Sequence, residues 1–274
     1  MAVAWGVALK NAIVFRANVF AQVSGAAFTV FLLVAFWTAL FRERAQVAGI
    51  ELPGMLLYAV GSTLLAVLYE LETGADLGRK IHSGEIALTI SRPLRYPSTL
   101  LLDAVAGAGV RVVLRVIPYA IAALLLLTLA FGASGFAGPL SAGAERIIPR
   151  ATMVTASVGL GFLITFYYQR IFGTLSVWTF GQVSGLAIAR REAARLLSGS
   201  FIPLWFFPPW AFDIAGLLPF QAMYHTPLSI LIGKLDGGEA LRAIVVQAVW
   251  IAGFALLAHV IWRRGVRKLV VHGG

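Results

Sequence analysis

The chain has 274 residues, of which 59% are hydrophobic and 12% charged, and it carries a net charge of +10. A soluble domain carries about a quarter charged residues, so this composition excludes an ordinary soluble globule and makes lipid the solvent for most of the chain. The absence of cysteine excludes disulfides, thiolate chemistry and cysteine-based metal sites, and the four scattered histidines give no reason to expect a metal.

Crossing a bilayer takes roughly 20 apolar residues. The first 18 residues fall short, because Lys10, Asn11, Arg16 and Asn18 interrupt them; Trp5, Leu9 and Ile13 recur at near-helical spacing, which predicts an interfacial amphipathic helix. Span one is expected over Val19–Phe41, longer than a signal-peptide core and followed by Arg42, Glu43 and Arg44. Span two covers Pro53–Leu71, with its proline in the first turn and Glu70 and Glu72 at its inner end. Residues 74–97 then form a basic, glycine-punctuated island, in which Gly78 and Gly84 are expected to bracket a short polar helix. Span three is one long helix, Ser98–Phe131, with Asp103, Arg111 and Arg115 in its first half and Pro118 tolerated or kinking it. Gly132–Gly143 is a short external loop, span four covers Ile147–Leu175, and span five covers Val177–Leu197. Ser200–Pro227 cannot be one helix, because Pro203, Pro208, Pro209 and Pro219 interrupt the hydrogen-bond ladder. Broken backbone at membrane depth requires protein or water beside it, so this stretch is expected to be a re-entrant or interfacial hairpin. Its aromatic residues Trp205, Phe206, Phe207 and Trp210 are expected to anchor it at the outer interface. Span six covers Ala243–Trp262 and is closed by Arg263, Arg264, Arg267 and Lys268.

The fold class is therefore all-α: a single six-span polytopic domain with an interfacial N-terminal helix and a hairpin before the last span. Six spans place both termini, the basic island and the basic tail on one side, which the positive-inside rule assigns to the cytoplasm. The net charge is accounted for in this way, with no need of nucleic acid.

Chemistry is not encoded in this chain. Gly233-Lys234 is followed by Leu235 and lacks the spacing of a Walker A loop; no GxGxxG or GxSxG occurs. A secondary transporter or channel would need acidic relay residues within the spans, whereas Glu70, Glu72 and Asp103 lie near span ends. A membrane enzyme would need a convergent polar site, and none is evident. The charged island is most simply a cytoplasmic contact surface for a soluble partner.

The island carries Gly84, Glu85, Ile86, Ile90 and Pro93 in the order G-E-I-x-x-x-I-x-x-P. Downstream, Leu196–Trp210, Leu217–Leu235 and Trp262–Gly274 accompany it, as does Thr174–Thr179 (TLSVWT). These segments resemble the ABC-2 type permeases, in particular the six-span branch ending in Gly-Gly; Val177 stands where that branch has phenylalanine. The resemblance implies a permease that pairs with a second permease, a copy or a related chain, to form the substrate path. It implies cytosolic ATPase subunits that carry ATP and Mg²⁺, with no cofactor on this chain, and placement in the cell inner (plasma) membrane. Coupling to the ATPase would run through Asp76, Gly78, Arg79, Lys80, His82, Ser83, Gly84 and Glu85. The hairpin, with Gly199, Pro203, Trp205, Pro208, Pro209 and Pro219, would form an external lid.

Arg190, Arg191 and Arg195 depart from that pattern, which is mostly apolar here. Snorkelling at a span end is the plain explanation for them. The functional one is a cationic lining near the outer end of the path, suited to an anionic or amphiphilic substrate, with Glu192 able to pair with Arg195 across one turn.

Overall fold

A computed structural model of the protein describes residues 24–86 apart from residue 26, and residues 96–135, 144–178 and 191–272. The interfacial helix expected over residues 1–18 lies outside the described residues, as do residues 87–95, 136–143 and 179–190.

The described residues include, first, an apolar helix, α1 (Ala27–Leu40). A miniature antiparallel hairpin follows, β1 (Gln46–Val47) against β2 (Ile50–Glu51), with Val47 opposite Ile50. Its two central residues, Ala48 and Gly49, have φ of 53° and 70°. Positive φ at both positions is what a tight two-residue hairpin turn demands. Helix α2 (Leu52–Leu68) has Pro53 in its first turn, as expected, and buries Met55, Leu56 and Tyr58. The helix breaks over residues 69–72, and α3 (Thr73–His82) follows.

Helix α4 (Tyr96–Arg111) passes through a π-turn, Val112–Val116, into α5 (Ile117–Gly135). Pro118 explains the turn: it has no N–H to bond the carbonyl four residues back, and a wider turn absorbs the mismatch without ending the helix. Helix α6 (Ala144–Leu175) is the central rod. A short helix, α7 (residues 191–197), leads to a broken segment: a 3₁₀ turn at Leu204–Phe206, α8 (Pro209–Gly216), a 3₁₀ turn at Pro219–Ala222, and α9 (His225–Leu231). The chain then runs along α10 (Gly237–His272).

Among the described residues four stretches are long and apolar enough to cross a membrane: Leu52–His82, Ser98–Gly132, Ile147–Leu175 and Gly237–Lys268. In the first, α2 supplies the apolar part. These stretches match the expected spans two, three, four and six. Of span one, α1 is described. Of span five, residues 176–178 form a turn at the expected start and α7 forms the end.

Three boundaries need correction. Gly78 does not open the polar helix; it sits in the middle of α3, which starts at Thr73. The broken segment does not end at Pro227, which falls in the first turn of α9, where its missing N–H costs nothing. Helix α10 does not stop at Trp262: arginines end an apolar span but favour continued helix in water, and it runs on through Arg263, Arg264, Arg267 and Lys268.

Packing is organised around α6. Ser157 meets Gln247 of α10, and further along Thr174 lies against Gly265. The two contacts are offset by nearly the same number of residues, so α6 and α10 run parallel. The outer faces of α4, the π-turn, α5 and α10 present Leu102, Val113, Leu129, Val249 and Leu256, the apolar exposure that lipid requires.

Candidate functional site

Helix α3 has two faces. Gly74, Leu77, Gly78 and Ile81, spaced at i, i+3, i+4 and i+7, are buried. They lie against the last turns of α6, and the approach is backbone to backbone. A methyl group at position 74 would sit 2.6 Å from the Gln169 carbonyl oxygen, and one at 173 would sit 2.7 Å from the Gly74 carbonyl oxygen. Glycine at 74 and 173 is thus a packing requirement, whereas position 78 has ordinary clearance, 3.6 Å to Ser176 Oγ.

The opposite face is polar. Asp76 accepts from Arg79 at 3.0 Å and pairs with Lys80 at 2.9 Å. Burial opposes the charge on Asp76, but the hydrogen bonds from Lys80 and Arg79 outweigh it and hold the carboxyl below the usual aspartate range. Arg79 is 73% exposed. His82, Ser83, Gly84 and Glu85 follow, all exposed, and Gly84 turns the chain at φ +75° before Ile86 is buried again. The structure therefore gathers the expected coupling residues on one helix and its C-terminal turn, with Gly78 alone on the packed side.

Beside α3 lies a cavity of about 800 Å³. Glu70, Glu72, Arg79, Arg115, Arg191 and Arg195 line it, together with Ala66, Val67, Tyr69, Met223 and Tyr224. Arg115, on the π-turn, forms an ion pair with Glu70 at the end of α2. Arg191 and Arg195 of α7 both pair with Glu192, at 3.0 and 3.4 Å. The Glu192–Arg195 pairing was legible from spacing. The cavity was not: it brings the α7 arginines to the same space as Arg79 of α3, whereas the sequence suggested a place near the outer end of the path. Arg190 lies outside the described residues.

In the broken segment, each proline opens a short turn. Pro203 precedes the first 3₁₀ turn, Pro208 and Pro209 begin α8, and Pro219 begins the second 3₁₀ turn. Gly199 turns at φ +75° against Tyr58, whose hydroxyl donates to the Gly199 carbonyl at 2.8 Å and lies 3.3 Å from His225 Nδ1. Trp205 packs on His225 with ring centroids 4.3 Å apart, and Phe206 packs on Trp37 at 5.6 Å. Trp205 also packs on Tyr58 at 5.5 Å, so these two half-buried aromatics hold the segment to α2 and α1, while Trp210 is 68% exposed.

A family model described as "ABC-2 family transporter protein" matches residues 27–273. The chain belongs to the ABC-2 transporter family. No curated protein and no solved structure matches it. This ABC-2 permease is a multi-pass membrane protein and a transport component. Among its described residues no cluster of metal-ligating side chains occurs.

Two polar residues of the ABC-2 chain escaped the sequence reading. Gln247 is fully buried; its amide donates to the Ser157 and Ala222 carbonyls at 3.1 and 2.7 Å, and its carbonyl accepts from Ser157 Oγ at 2.9 Å. It ties α6, the broken segment and α10 at one point. Arg170 of α6 is 6% exposed, and its Nε has no hydrogen-bond partner. The only sequence signal for either was a polar residue inside an apolar run.

Proposed function

We propose that this chain is the membrane-spanning permease subunit of an ATP-driven exporter and that α3 is the helix through which a cytosolic ATPase moves it. The observation that carries this reading is the two-faced α3: one face bound to α6 by backbone contact, the other charged and exposed. A helix so fixed passes displacement into the spans, and its free face offers Arg79, Lys80, His82 and Glu85 to a soluble protein. ATP and Mg²⁺ belong to that ATPase, and this chain binds no cofactor. A second permease, identical or related, completes the path, and the cargo is amphiphilic, lipid-like or drug-like.

In this reading residues 74–97 and both termini are cytoplasmic, in the cell inner (plasma) membrane, and residues 200–227 enter from the outer leaflet without crossing. The depth is supported by two contacts along α6. Gly233 faces Arg150, whereas the Met223 carbonyl faces Gly161, eleven residues further along. Eleven residues of helix span about 16 Å, roughly half of a hydrocarbon core of about 30 Å.

Replacing Arg79 and Lys80 together by glutamate tests the assignment. The variant should insert normally but lose co-purification of the ATPase and substrate-stimulated ATP hydrolysis. A complex that still forms with full hydrolysis refutes the role of α3.

A further inference from the structure

We propose that α3 is also a wall of the ligand site, and that Arg79 together with Arg191 and Arg195 holds the anionic headgroup of an amphiphile. The inference deepens the exporter reading and rests on it only in taking that amphiphile as cargo.

The cavity beside α3, at about 800 Å³, is within the range of about 300–1,000 Å³ common for small-molecule sites. Four arginines and two glutamates line it, so the lining favours an anion. One of those glutamates, Glu70, is occupied by Arg115. Arg191 and Arg195 share a single carboxylate, Glu192. Arg79 gives Asp76 one hydrogen bond, and Lys80 competes for the same carboxylate. A guanidinium has five donors, so all three arginines retain capacity for a phosphate, sulfate or carboxylate oxygen. Ala66, Val67 and Met223 add apolar wall, which suits a chain-bearing anion better than a free one.

The consequence is a direct link between cargo and motor. The ATPase-facing helix carries one of the headgroup ligands, so displacing α3 changes the affinity of the site. By linkage, a bound headgroup biases α3 by the same factor.

The chain has no cysteine, so single cysteines report cleanly. Ala75→Cys lies on the α3 wall and Ala194→Cys on the α7 wall. Each variant is placed in phosphatidylcholine nanodiscs without ATPase, and its maleimide labelling rate is measured against dioctanoylphosphatidylglycerol, dioctanoylphosphatidylcholine and inorganic phosphate. The glycerol lipid should protect both cysteines. Arg79→Gln should weaken that protection at both positions by about tenfold or more, the size expected for loss of a charge-assisted hydrogen bond. Arg79→Lys should retain most of it, and Arg242→Gln, on the exposed face of α10, should change nothing. Equal protection by the choline lipid or by inorganic phosphate overturns the proposal, as does undiminished protection in Arg79→Gln. With no ATPase present, such a failure leaves the coupling role of α3 intact; in the Arg79 and Lys80 double variant, a complex that still forms refutes docking alone, and only full substrate-stimulated hydrolysis would count against the headgroup site as well.

Discussion

Gly74→Ala and Gly78→Ala make the same chemical change one helical turn apart and should differ sharply. Alanine is the better helix former by about 1 kcal/mol in a helix interior, a gain open to position 78 and smaller at position 74, the second residue of α3. At position 78 the new methyl meets Ser176 Oγ at 3.6 Å, an ordinary contact, so the gain should survive. At position 74 it meets the Gln169 carbonyl oxygen at 2.6 Å and the carbonyl carbon at 3.2 Å, and neither backbone atom can swing aside. Overpacking of this kind costs about 1–3 kcal/mol. The two variants should therefore differ by about 1–3 kcal/mol, with Gly78→Ala the more stable. Gly173→Ala should behave like Gly74→Ala, because it meets the same backbone from the other side, and the double variant should be non-additive. Thermal unfolding of the purified permease orders the variants. If Gly74→Ala is as stable as Gly78→Ala, the backbone contact between α3 and α6 does not exist as described.

Three further outcomes are expected. Gln247→Leu should destabilise the fold by about 1–3 kcal/mol, measured by unfolding, since it strands the Ala222 carbonyl and the Ser157 hydroxyl; buried hydrogen bonds within membranes average about 0.6 kcal/mol and reach about 1.7. The Asp76 carboxyl is depressed in the folded state, so its contribution to α3 is present above the ordinary aspartate range and is lost as pH falls through the lowered value; Asp76→Asn should abolish that acid-side loss in a pH series of unfolding midpoints. A cysteine at Ala137 should react with an impermeant reagent in intact cells, and reaction only after the membrane is opened would reverse the topology.

The long spans were legible because 20 or more apolar residues have few alternatives, and the runs around α2, α4–α5, α6 and α10 appear where hydropathy placed them. What depends on a partner was not legible. From the sequence Gly78 brackets the polar helix, yet in α3 it lies on the packed face one turn from Gly74, and only the path of α6 reveals why. The ring partners of Trp205 and Phe206, His225 and Trp37, lie far away along the chain, so no local pattern announces them. The prolines of residues 200–227 spoke against one helix, correctly, because their effect on backbone is local. The cavity combines side chains from α2, α3, the π-turn and α7, and no spacing rule connects Arg79 with Arg195. The hairpin at 46–51 was hidden by its brevity, since four paired residues leave no alternating pattern to read.

The backbone contact between Gly74 and Gly173 also defines a lever. Helix α6 is gripped by α3 at Gly173, and twelve residues away, at Gly161, it bears on the Met223 carbonyl and the Tyr69 hydroxyl with no room for a methyl group. Twelve residues of helix make an arm of about 18 Å. A tilt of about 10° around the gripped end would carry Gly161 sideways by roughly 3 Å, about the diameter of a water molecule. The tip of the broken segment touches the rod there, so it would have to follow or part from it. A small rotation at the α3 grip would thus be magnified, at the far end of the arm, into a displacement on the scale of solvent passage.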